Sequence, residues 1–163
     1  MGTLREVKHV MRKNEELRDL LVRSSRHELL IDLDGDKVAD IALIDTNHDG
    51  DIDTFAVDAT GNGDFNLYVG DSDANGAIDT VEIYDDDDDM PIASFFGRAV
   101  EDRFIELGNE IYSRIVAIEA GRIVAAELIS AFKKLVSRAE EEYKKVEAEE
   151  KKEEENKEEK KDE

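Results

Sequence analysis

DLDGDKVADIALI (32–44), DTNHDGDIDTFAV (45–57), DATGNGDFNLYVG (58–70) and DSDANGAIDTVEI (71–83) follow one another in a single register, each opening on Asp at a spacing of 13 residues. Position 1 is Asp32, Asp45, Asp58 and Asp71, and position 3 is Asp34, Asn47, Thr60 and Asp73. Position 5 is Asp36, Asp49, Asn62 and Asn75; position 9 is Asp40, Asp53, Asn66 and Asp79. Behind position 9 comes a short run rich in β-branched and aromatic residues, the composition of a strand. Each period therefore couples an oxygen-rich turn to a strand-sized apolar segment.

Side chains at alternate positions of a tight loop point inward, and oxygen at 1, 3, 5 and 9 is what a hard cation such as Ca²⁺ requires. Gly50, Gly63 and Gly76 occupy position 6, where such a loop turns sharply, whereas the first repeat has Gly35 two residues earlier and Lys37 at position 6. Asp51 adds a carboxylate at position 7 of the second repeat. In the fourth, Asp71, Asp73, Asn75, Gly76, Ile78, Asp79 and Glu82 match the full EF-hand loop pattern, including the Glu that binds bidentately. Position 12 elsewhere is Leu43, Ala56 or Val69, and the third repeat, with Thr60, Asn62 and Asn66 behind Asp58, is the weakest candidate. Asp49-Gly50, Asn62-Gly63 and Asn75-Gly76 are also strong hairpin turns, but a turn alone does not need Asp or Asn at 1, 5 and 9.

DxDGDxxxDIAL from Asp32 resembles the loops of FG-GAP and integrin-type propeller repeats, DTNHDGDID from Asp45 resembles dockerin and EF-hand loops, and the close tandem packing is similar to thrombospondin calcium repeats. The resemblance implies Ca²⁺, up to four ions, held by positions 1, 3, 5 and 9 with a backbone carbonyl at 7. It covers about a third of the chain. The flanking helices of an EF-hand pair are replaced by strand-like runs, which speaks against an EF-hand opening switch.

The fold expected is α+β: a short-stranded antiparallel meander of four 13-residue calcium-loop repeats, or alternatively a small solenoid, packed against an N-terminal helix and a long C-terminal helix or helical hairpin. Residues 1–28 form the N-terminal segment, 29–89 the acidic repeats, 90–139 an apolar helical region and 140–163 a charged helical or disordered tail. The first helix is predicted over 3 to about 25, with Thr3 and Glu6 as a capping box and Leu4, Val7, Met11, Leu17 and Leu21 on one stripe. The second is predicted from Pro91, an acceptable first helical residue behind the carboxylates of Asp85 to Asp89, to about Val146. Unbroken at Gly108 and Gly121, it is a rod of roughly 80 Å that favours assembly between chains; broken, it folds back on the sheet. From Glu140 on, Glu and Lys blocks suit a solvated tail.

Charge bounds the function. The chain has 163 residues and a net charge of −21. Residues 32–89 hold 19 acidic groups against one basic, so −18 of that total lies in the repeats, which should fold poorly unless cations neutralise them. Nucleic-acid binding is disfavoured, DNA mimicry remaining a remote alternative. With no Cys, three scattered His and no phosphate loop, the chain offers no recognisable catalytic constellation, and His9 and His27 lack partners at ligand spacing. No run is long enough to span a membrane, no signal peptide is recognised, and Glu6 spoils a myristoylation motif at Met1-Gly2. The expectation is a non-catalytic calcium-binding structural or interaction protein, its apolar helices meeting a second copy or a protein partner, or alternatively a calcium buffer or sensor. The location is left open, with an extracellular or surface setting favoured by the repeats.

Overall fold

The four residues before each repeat's Asp form hydrogen-bonded strands, and three further segments join them. The computed structural model describes residues 4–73, 78–85, 90–100, 102–120 and 125–161. Its strands are β1 (Leu21–Ser24), β2 (Glu28–Ile31), β3 (Ile41–Ile44), β4 (Thr54–Val57), β5 (Leu67–Gly70), β6 (Thr80–Tyr84) and β7 (Pro91–Phe96). Its helices are α1 (Leu4–Lys13), α2 (Glu15–Arg18), α3 (Asp102–Glu119) and α4 (Ala125–Lys161). The strands lie side by side in sequence order, each antiparallel to the last, with β1 and β7 as the two edges of an open sheet.

The expected unit of four repeats is overturned by this sheet of seven strands, and the consecutive antiparallel order rules out a stacked solenoid. Two strands come from segments expected to be helical. Asn14 is extended (φ −95°, ψ 116°) and its side chain accepts from the N–H groups of Glu16 and Leu17, so it ends α1, starts a single turn of helix and leaves Leu21–Ser24 to pair with β2. Pro91 begins β7 rather than a helix. That strand is an edge, where a residue without an N–H is tolerated, and the following Ile-Ala-Ser-Phe-Phe pairs with β6.

The 13-residue spacing is not the structural repeat either. Because 13 is odd and alternate strands run in opposite directions, the inward-facing positions differ between neighbouring repeats. Ile41 and Leu43 at positions 10 and 12 point inward in the first, Phe55 and Val57 at 11 and 13 in the second. The third follows the first and the fourth follows the second. Two periods make one structural unit.

Across the strands Leu29, Leu43, Phe55, Val69 and Val81 stand opposite one another, as do Ile31, Ile41, Val57, Leu67 and Ile83. These rows are buried in one cluster with Leu4, Val7 and Met11 of α1, Phe104 and Ile111 of α3, and Leu128, Phe132 and Leu135 of α4. Burial of each such side chain is worth about 1.5–3 kcal/mol. The helical half is a hairpin, not a rod: α3 packs on α4, with Glu110 3.3 Å from Lys134 and Arg114 3.1 Å from Glu127. Gly108 lies within α3 and lets it approach Ile78, whose Cγ1 is 2.6 Å from where a Cβ would stand. Thr3, Asn75, Gly76, Asp86 to Asp89 and Gly121 lie outside the described residues.

Candidate metal loops

Nine residues separate successive core strands, and the loops are built alike. The N–H of position 9 closes each loop onto the residue before position 1: Asp40 to the Ile31 carbonyl, Asp53 to Ile44, Asn66 to Val57 and Asp79 to Gly70, at 2.8 to 3.0 Å. The position 9 side chain then accepts from the N–H of position 2. Leu33 donates to Asp40 Oδ2 at 2.7 Å, Thr46 to Asp53 Oδ2 at 3.0 Å, Ala59 to Asn66 Oδ1 at 2.7 Å and Ser72 to Asp79 Oδ1 at 2.8 Å. This bond needs only an acceptor oxygen, which is why Asn serves in the third loop.

Position 1 is buried in all four loops. Asp32 accepts from Asp34, Gly35 and Lys37, and Asp58 from Thr60, Gly61 and Gly63, at 2.8 to 3.2 Å. Asp45 accepts from Asp49 and Gly50. For Asp32 burial favours the neutral acid, but these N–H groups outweigh it and hold the carboxyl below its ordinary pKa. To aim its N–H groups at one carboxylate, the backbone turns left-handed at both position 4 and position 6: Gly35 and Lys37, His48 and Gly50, Gly61 and Gly63. The first repeat thus follows the same geometry as the second and third, with its glycine at the earlier of two left-handed positions.

Two loops gather carboxylates. Oxygens of Asp32, Asp34, Asp36 and Asp40 lie within 4.8 Å of one another, and so do those of Asp71, Asp73 and Asp79. Two oxygens bound to one Ca²⁺ lie up to about 5 Å apart, given bonds of about 2.3–2.6 Å, so both groups have the span of a coordination sphere. In the first loop one oxygen each of Asp34, Asp36 and Asp40 takes an N–H from the chain. The Asp36 N–H stabilises the Asp34 carboxylate, yet the adjoining carboxyls of Asp36 and Asp32 prevail and push its pKa up to about 6. The donor set is oxygen only and fits a hard cation; the two clusters are compatible with holding a metal ion.

Elsewhere the candidate residues are disposed differently. Asn47 donates its side-chain amide to Asp49 at 3.2 Å, Asp49 accepts from the Asp51 N–H at 2.9 Å, and Asp53 accepts from the hydroxyls of Thr46 and Thr54. In the third loop Asn62 accepts from Asp64, and the Thr60 hydroxyl leans on Asp58. Glu82 stands within β6, where the Tyr84 hydroxyl donates to it at 2.6 Å, and it does not join the group of Asp71, Asp73 and Asp79. His27 has no partner at ligand spacing along the chain, but its ring stacks on His48 at 3.6 Å with its Nδ1 4.0 Å from Asp45. Residues 21 apart in sequence meet this way only because β2 and β3 pair, which no local spacing reveals.

Against known proteins the chain matches no family model, no curated protein and no solved structure. The likeness to calcium repeats therefore stays at the level of the aspartate loops themselves. No described helix is long and apolar enough to cross a membrane.

Proposed function

We propose that this is a non-catalytic protein whose acidic loops bind Ca²⁺ and are stiffened by it, serving a structural or interaction role. The observation that carries the reading is the convergence of Asp32, Asp34, Asp36 and Asp40 in one loop. Among the described residues no lysine, arginine or histidine forms an ion pair with any of the four. The group at Asp71, Asp73 and Asp79 supports it independently. Bound cations would relieve the repulsion of a segment carrying −18, and the free energy of binding would add to that of folding. Contact with a second copy or a protein partner through the helical half is the second part of the reading.

The test is a calorimetric Ca²⁺ titration of the metal-stripped chain, with circular dichroism and light scattering on the same samples. Binding at the two clusters, lost in part in Asp36→Asn and in part in Asp73→Asn, is the expected result. A rise in scattering mass on the same titration supports the partner contact. Silence at millimolar Ca²⁺ removes the metal reading. Affinity separates the structural role from the buffer or sensor: sites lacking the bidentate Glu belong at roughly 10⁻⁴–10⁻³ M, whereas sensors work at roughly 10⁻⁷–10⁻⁵ M.

A further inference from the structure

The face of the sheet turned away from the helices carries a groove of about 440 Å³, the size of a small-molecule site. It runs along β5 and β6, and from Thr80 to Tyr84 it extends about 13 Å at the rise of a strand. At one end Gly70 lies between Thr54 and Thr80, whose hydroxyls are 3.2 and 3.1 Å from where a Cβ would stand, so the floor is open only because this residue has no side chain. In the middle Glu82 pairs across from Tyr68, and the rings of Tyr68 and Tyr84 meet edge to face at 5.5 Å. The Tyr84 hydroxyl fixes Glu82 through a 2.6 Å hydrogen bond. Asp64 and Asp85 stand at the far end beside Phe65.

We propose that this groove binds a small, elongated alkylammonium ligand. Among the described residues its lining contains carboxylates, hydroxyls and aromatic rings but no lysine, arginine or histidine, so anions are repelled from it. A hydrated metal ion would use the carboxylates and leave the rings idle. An amine on an aliphatic stem uses both: its charged heads meet Glu82 and the acidic end, and its methylenes and ammonium lie against the tyrosine rings. This assignment is independent of metal binding by the loops.

The probe is putrescine, titrated into the full chain at saturating Ca²⁺ and physiological ionic strength, and followed by NMR. Shifts confined to the Asp64, Glu82 and Asp85 amides and the Tyr68 and Tyr84 rings are expected. Glu82→Gln should weaken binding about tenfold, the effect of losing one charge-assisted bond. Glu155→Gln, on the exposed end of α4, should leave it unchanged. Shifts spread over all the acidic loops, equal affinity in Glu82→Gln, or stronger binding of glucose than of putrescine would each overturn the proposal.

Discussion

Lys37 holds φ 66° at a position that the second and third loops give to glycine. A left-handed L-residue costs about 1–2 kcal/mol and glycine's extra freedom in the unfolded chain returns about 0.5–1, so Lys37→Gly is expected to stabilise by about 0.5–1 kcal/mol in urea denaturation. The opposite sign is expected where an acceptor is lost. Asn66→Ala leaves the buried Ala59 N–H unpaired and should cost about 1–3 kcal/mol, whereas Asn66→Asp keeps the acceptor. At Tyr84 the bond to Glu82 is the main cause, with burial second, of a phenol pushed up to about 12. Because the folded value lies above the unfolded one, the stability it lends is present below about pH 10 and lost as pH rises through about 12. An ultraviolet titration should show a late-ionising tyrosine that moves to lower pH in Glu82→Gln. At this scale the oxygen pattern was legible from the chain alone. Its double use was not: the aspartates that mark positions 1 and 9 as ligands also hold the loop's own N–H groups, and one spacing serves both purposes.

Among the elements, the helix–sheet contact at Gly108 is the most sharply defined. A methyl group there would lie 2.6 Å from Ile78 Cγ1, so Gly108→Ala should destabilise by about 1–3 kcal/mol despite alanine's better helix propensity. In combination with Ile78→Ala the loss should fall short of the sum, which thermal denaturation of the two single variants and the double variant would reveal. The core strands were readable because their residues are β-branched and bounded by turn residues. The edges were not. Leu21 and Leu17 continue the stripe of α1 at helical spacing, and Pro91 behind a run of aspartates has the features of a helix start; only partners brought up by the neighbouring hairpins decide for strand. For the same reason the groove was hidden. Thr54, Gly70 and Thr80 look like weak spots in apolar runs until the register sets them side by side.

For the molecule as a whole, charge sets the response to solution conditions. With −18 of the total −21 concentrated in residues 32–89, the metal-stripped protein should gain stability steeply as monovalent salt rises. In the Ca²⁺-loaded protein that salt dependence should flatten, and melting curves over a salt series with and without chelator check it. Each site at a hundredfold excess of Ca²⁺ over its Kd should add about 2.7 kcal/mol.

The alternation of inward positions also limits how such a chain can change in length. Removing one period would reverse the direction in which the chain leaves the sheet and turn Phe55-type and Thr54-type positions inside out, carrying α3 and α4 to the wrong end. Removing two would preserve direction, face and register alike. Natural or engineered variants of this architecture are therefore expected to differ by whole hairpins, with an even number of loops between the same two edges.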